Sequence, residues 1–372
     1  GGAAVEVGES EKWEKTIGPF LLYVNTGANP PAMKQDAMAR QKKEAAQWPY
    51  AWVAGIDYPH QHQRATVSGR LVINDPHAPG AKMPNLRVGL TAAAYTSPYV
   101  RPPAPAGKGP PGPTGPRQID WQTDAKHYQF WARGETDGRF NVPNVRAGRY
   151  TLRAIADGVL GEFAQADVVI EAGRNLDLGQ LTWKPIRRGK PLWEVGIANR
   201  TASEFAGADR FWVPEQPLTY AKRFPNDVNF VAGKSDPAKD WWFQHVPHNE
   251  DPAAKSLPFR GITTPGRATP YSISFDVAGG TASRGLAILR VAICGGGARE
   301  IGVTINGQPA GKIDRLLVDG AITRHSIQGL WYEREVTFDA ALLKPGKNTL
   351  TLTVPAGPVN NGVIYDYLRL EL

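Results

Sequence analysis

The chain of 372 residues is long enough for two or three domains with separate cores, and it needs no metal or disulfide to hold them. Its 40 Gly, 32 Pro and 11 Trp point to short strands and turns, not helical bundles, and the single Cys294 excludes an intrachain disulfide. A net charge of +8 admits polyanions, but Lys and Arg are scattered without a zinc-finger, RNA-recognition or basic-zipper pattern. Nucleic acid is therefore not an expected partner, and no apolar run approaches the ~18 to 20 residues of a membrane span.

The chain begins GGAAVEVGES without Met or a signal-peptide pattern, so a leader has been removed or the sequence starts inside a longer protein. Residues 8–25, GESEKWEKTIGPFLLYVN, read as a turn followed by an apolar strand that must join some sheet. After Pro30 and Pro31 the Ala-rich, charged run to Tyr50 predicts the one convincing helix, a surface strut ending before Pro49. Trp48, Tyr50 and Trp52 are expected to pin that strut to its neighbours.

From Arg64 the chain alternates in short segments such as ATVSGRLVIND, and DGRFNVPNVRAGRYTLRA combines two turns with inward Phe140 and Val142. This spacing predicts an antiparallel sandwich over residues 64–186. The run RPPAPAGKGPPGPTGPR, residues 101–117, cannot build a ladder because proline removes donors, so it reads as an exposed loop insertion.

Residues 187–372 form a third unit. Its later part is a succession of alternating strands with turns at Asn306-Gly307 and Pro345-Gly346, which predicts an antiparallel jelly roll. Its opening part is irregular and aromatic, with Trp193, Phe205, Trp212, Trp241, Trp242 and Phe243, and is expected to wrap the sandwich. Cys294, in the strand-like RVAICGG, reads as a buried, inert thiol.

Candidate chemistry concentrates in DGAITRHSIQGLWY, residues 319–332, and in the terminal YDYLRLEL. Aromatic faces stack on sugar rings while Arg and Lys pair with uronate carboxylates, which selects Arg200, Lys239, Trp241, Trp242, Arg324, His325, Trp331 and Tyr332 as binding candidates. Each has a plain alternative as a core aromatic or a loop-fixing ion pair. Asp366 is a candidate calcium ligand, or else a hydrogen-bonded structural carboxylate, and no cofactor is required. The pairs His60/His62 and His245/His248 lack the further ligands of a metal site.

The segments LWEVGIANRTASEF (192–205), SDPAKDWWFQHV (235–246), TRHSIQGLWY (323–332) and YDYLRLE (365–371) resemble the C-terminal modules of rhamnogalacturonan lyases of polysaccharide lyase family 4. RATVSGRL, YQFWARGETDGRFNVPNVRAGRYTL and LGQLTWKP resemble the module before them, and the opening GESEKWEKTIGPFLLYVN the end of the catalytic domain. The resemblance implies a mainly β chain. Its expected parts are the last strand of a catalytic sandwich (1–26), a helical connector (27–63), a fibronectin type III-like sandwich (64–186) and a carbohydrate-binding-module-like jelly roll (187–372).

It also implies a secreted or periplasmic protein whose partners are an acidic plant polysaccharide, rhamnogalacturonan, and an N-terminal catalytic domain or chain. The catalytic Lys and His of the family belong to a sandwich that these residues do not include, so no catalytic residue carries over. Ala198-Asn199 stands where the family pattern has Pro-Asp, and Ser326 and Gln328 replace Gly and His, which bears on the sugar recognised more than on the fold. The expected role is binding or positioning pectin for β-elimination carried out elsewhere, with one chain of a nicked or two-chain lyase, or a purely structural scaffold, as alternatives.

Overall fold

The computed structural model describes residues 5–97, 117–213, 216–250, 265–279, 285–358 and 360–372. The proline-rich insertion therefore lies outside the described residues, apart from Arg117.

The chain is mainly β. A single long helix, α1 (Pro30–Ala45), starts where Asn29 accepts from the Ala32 backbone N–H and Pro30 occupies the first turn. None of its residues is buried. The segment before it joins no ladder among the described residues, and the expected strand of a catalytic sandwich is one whose sheet these residues do not include. Side chains anchor it instead: Trp13 Nε1 donates to Lys126 O, and Lys15 Nζ to the carbonyls of Ala125 and His127. Tyr23 and Asn25 donate to Asp36 of α1, which leaves the alternate residues Phe20, Leu22 and Val24 facing solvent.

The first sandwich contains β1 (Ala65–Ile73), β2 (Arg87–Ala92), β3 (Thr96–Ser97), β4 (Arg117–Gln118), β5 (Phe130–Arg133), β6 (Arg139–Val145), β7 (Gly148–Ile155), β8 (Phe163–Ile170) and β9 (Leu176–Trp183). One sheet runs β6-β1-β9 and the other β5-β2-β7-β8, with β3 and β4 forming a separate ribbon. Alternation in β6 buries Phe140 and Val142, and after a break at Asn144 (φ +60) Val145, against Val67, Leu71, Leu90 and Leu152 from both sheets. Pairing in this unit is antiparallel as expected except at β9, which pairs parallel with β1. The chain leaves β8 in one sheet and crosses to the other, so β9 arrives in the direction of β1.

The second sandwich contains β10 (Pro191–Gly196), β11 (Val228–Val231), β12 (Gln244–His245), β13 (Pro265–Gly266), β14 (Thr269–Val277), β15 (Leu286–Gly296), β16 (Ile301–Ile305), β17 (Gln308–Ile313), β18 (Tyr332–Asp339), β19 (Gly346–Val354), β20 (Gly357–Pro358) and β21 (Val363–Glu371). Its sheets are β10-β21-β15-β18, extended by β12, and β11-β14-β19-β16-β17. In β14 alternate residues Tyr271, Ile273, Phe275 and Val277 enter the core. Asn306 and Gly307, both at positive φ, close the β16–β17 hairpin as the sequence suggested.

The central strand β21 departs from alternation, because all nine of its residues are buried. Its second face lies under the first sandwich, where Leu160 packs on Tyr367 and Ala292. A strand covered on both faces must satisfy every polar group internally. Arg369 accordingly pairs with Glu371 and Glu194, and Arg290 with Glu333.

Gly138 closes the Asp137-Gly138 turn at φ +91, and a Cβ there would meet the Leu71 carbonyl. Gly158 also has positive φ (+76) but open space around its Cα. Gly138→Ala is expected to lower unfolding free energy by about 2 kcal/mol or more and Gly158→Ala by only about 1, measured by urea denaturation.

Candidate functional site

The conspicuous stretch 319–332 is a loop clamped onto the second sandwich. Asp319 Oδ1 accepts from the N–H groups of Gly296 (3.1 Å) and Ala321 (2.8 Å), and Oδ2 accepts from that of Leu330 (2.7 Å). Arg324 lies on the exposed side of this loop and His325 sits in left-handed backbone at φ +53. Among the described residues no hydrogen bond or ion pair is formed by either side chain, so the loop does not bring them to Trp331.

The expected convergence of aromatics on one surface is corrected by the geometry. Trp241 and Trp242 are 0% exposed. Trp241 packs among Phe205, Phe230, Tyr271 and Tyr365, and Trp242 against Tyr220 and Phe224, so neither presents a face to a sugar. Tyr332 is also buried, its hydroxyl accepting from the Leu317 N–H, and burial pushes its pKa up to about 12. The irregular loop carrying DWWF closes the end of a core, which sequence irregularity cannot distinguish from a binding rim. Lys239 is exposed on the single-turn α2 (Pro237–Asp240) and pairs with Asp236 at 3.0 Å, a pair of little energetic weight.

Three candidates do meet. Asp366 projects from β21, and its Oδ1 accepts from the backbone N–H groups of Asn199 and Arg200, each at 2.9 Å. Arg200 makes this double contact from left-handed backbone, φ +68. Trp331 Nε1 donates to Asp366 Oδ2 at 2.7 Å. The Arg200 guanidinium lies 4.1 Å from the Trp331 ring centroid and Nη2 donates to Glu162 of the first sandwich at 2.6 Å. Glu162 also holds Arg153, and Trp121 lies beside both arginines. Gln122 completes the junction: its Nε2 donates to Trp331 O at 2.8 Å and its Oε1 accepts from Trp331 N at 3.1 Å.

This constellation joins two sandwiches and leaves no room for a ligand. The cavity beside it measures about 10 Å³, enough for one water at most. Burial pushes the Asp366 carboxyl up to about 7, against the three N–H groups that favour its ionised form. Both oxygens face N–H donors, which does not fit the oxygen-rich shell of a calcium ion. Among the described residues no group of three or more His, Cys, Asp or Glu is placed to hold a metal. His245 is fully buried between the Tyr365 hydroxyl and Thr269 O, and burial pushes it down to about 3.

Glu162, Arg153, Trp121 and Gln122 carried no signal in the sequence. They sit in ordinary loop and strand contexts, and only their contact with residues some 40 to 200 positions away gives them a role, as with Glu162 to Arg200 and Gln122 to Trp331.

Comparison with known proteins supplies the family. Polysaccharide lyase family 4, domain III, matches residues 191–370, and polysaccharide lyase family 4, domain II, matches residues 94–178. Rhamnogalacturonate lyase of Dickeya dadantii is 32% identical over 364 residues, 96% of this chain and 52% of that protein. Rhamnogalacturonate lyase B of Emericella nidulans is 26% identical over 294 residues, 66% of this chain and 42% of that protein. The chain thus spans about half the length of these relatives. Among solved structures, a family 35 carbohydrate binding module from an environmental isolate shares 21% identity over 29% of this chain and 67% of that one, with a TM-score of 0.20, which carries no argument.

Two predictions separate joining from binding. Arg200→Met should cost about 2 kcal/mol by leaving Glu162 with one partner, whereas Arg324→Ala should leave the melting temperature unchanged. Asp366 has a native pKa above its ordinary 3.8, so the folded state holds the proton more tightly. Its contribution is complete below that ordinary value and is lost as pH rises through about 7. Against Asp366→Asn, which does not titrate, the wild-type melting temperature should fall progressively from about pH 4 to about pH 7 and level off above that. A constant difference would show a carboxylate ionised throughout.

Proposed function

The chain belongs to polysaccharide lyase family 4, and from that membership we propose that it serves a rhamnogalacturonan lyase as its non-catalytic part, docking on a catalytic β-sandwich and positioning pectic polysaccharide for it. The observation that carries this reading is the row Phe20, Leu22 and Val24. These side chains, 82%, 89% and 83% exposed, occupy one face of an extended segment whose other face is tied to α1 through Tyr23 and Asn25. An apolar row at period two on extended backbone matches what a sheet edge can add as a further strand.

The two sandwiches behind that segment form the rest of the device. The junction built on Asp366, Arg200 and Trp331 holds them in one relation, so a polysaccharide bound to either is held at a set distance from the docking segment. β-Elimination needs a base near the C5 proton and cationic groups facing the uronate carboxylate. Arg324 and His325, the one local imitation, lie on an exposed loop without a cleft to exclude water. Catalysis is therefore assigned to the docked sandwich, and a secreted or periplasmic location goes with that substrate.

The test uses the chain with rhamnogalacturonan and with a separately produced catalytic sandwich of the family. The expected results are retarded migration in rhamnogalacturonan gels, no unsaturated uronate from the chain alone, and co-elution with the sandwich that Phe20→Asp/Leu22→Asp abolishes. Unsaturated product from the chain alone would overturn the non-catalytic reading, and unretarded migration with intact co-elution would reduce the role to scaffold.

A further inference from the structure

We propose that the cavity between the N-terminal segment and the first sandwich is a subsite for a carboxylated sugar residue, a uronate, with Arg64 as the partner of its carboxylate. The cavity encloses about 390 Å³, within the range of small-ligand sites. Ile17 to Phe20 of the docking segment line it together with Trp48, Tyr58 and Tyr128. It is separate from the sandwich junction, and none of the residues selected in the sequence as sugar-binding candidates lines it, Trp48 having been read there as a pin for the helical strut.

Charge distinguishes this cavity from a packing defect. Arg64 is only 7% exposed, its guanidinium 4.9 Å from the Trp48 centroid and 5.6 Å from that of Tyr58. Its Nε donates to Pro59 O and Nη1 to Asn144 O, and no carboxylate pairs with it among the described residues. Burial and the neighbouring Arg146 both oppose its charge. Lys15 likewise rests on two backbone carbonyls. Arg146 stacks on Tyr128 at 4.2 Å and pairs with Asp57, whose side chain is largely in solvent. Three cations thus line the cavity against one carboxylate.

A buried guanidinium without a counter-ion is costly to keep, and an arriving anion removes that cost. A planar carboxylate matches the guanidinium fork, while flanking aromatic faces suit the C–H face of a sugar ring. Together they select an acidic sugar over a bare inorganic anion, which would leave the aromatic walls unused. The choice of uronate rests on the pectic polysaccharide proposed above. Because the docking segment forms one wall, sugar bound here would lie beside the attached catalytic sandwich.

Titration calorimetry of the full chain with trigalacturonate and with its methyl ester tests the assignment. The acid should bind about tenfold more tightly than the ester. Trp48→Ala and Arg146→Gln should each weaken binding of the acid about fivefold or more. Asp57→Asn should strengthen it about twofold, because it removes the carboxylate competing for Arg146. That gain is not expected of a residue with a merely structural role. These variants avoid Arg64, whose backbone hydrogen bonds make its replacement a folding test as well.

Equal affinity for acid and ester, or affinity unchanged in all three variants, would overturn the subsite. Retarded migration in rhamnogalacturonan gels with unchanged calorimetry would place the polysaccharide elsewhere and leave the positioning role standing. Loss of both would sink that role too.

Discussion

The arrangement depends on satisfying one buried carboxylate. Asp366 sits on a strand buried on both faces, where an unpaired charge would cost several kcal/mol. Its three donors come from the turn at Asn199-Arg200 and from Trp331, at the end of the clamped loop. Placing those donors also places the Arg200 guanidinium and the Trp331 backbone, which the first sandwich grips through Glu162 and Gln122. One hydrogen-bonding requirement thereby links the last strand of the chain to residues far earlier in it. The same solution recurs at Arg369 and Arg290, whose carboxylate partners let charged residues lie in a covered strand.

Aromatic residues divide by surroundings, not by local sequence. Trp241 and Trp242 occur beside charged residues, as binding aromatics often do, yet both fill the core. Trp48 and Tyr128 flank a cationic cavity although their own segments read as connector and strand. A β-sandwich core must be filled between its sheets, and the segment Trp241 to Phe243 closes off part of it with large side chains. Such a closing loop and a binding loop share a composition of aromatic, polar and turn residues. Where the indole points differs, and that is set by packing against strands distant in sequence.

The extended segment near the start combines both kinds of surface. Its apolar run is plain in GPFLLYVN, but an unbroken run does not tell which side chains meet the rest of the molecule. Tyr23 and Asn25 resolve this by bonding to α1, leaving the apolar row outward. On the preceding residues, Trp13, Lys15 and Thr16 attach to the first sandwich and so create a wall of the cationic cavity. A single connector therefore carries an outward apolar edge and an inward polar one.

By itself the sequence determined the mainly β class, the helix after the paired prolines, the Asp137-Gly138 and Asn306-Gly307 turns, and the inert setting of Cys294. These follow from local rules: strand alternation, backbone constraints at Pro and Gly, and turn chemistry act over a few residues. Its long motifs were also specific enough to indicate the family. Tertiary structure alone decided that Trp241, Trp242 and Tyr332 are core, that β9 runs parallel to β1, and that Arg200, Trp331 and Asp366 join two sandwiches. It alone assembled Arg64, Trp48 and Tyr128 around one cavity. Burial and ion pairing depend on which strands cover which faces, and that relation between distant segments has no local periodicity from which it can be read.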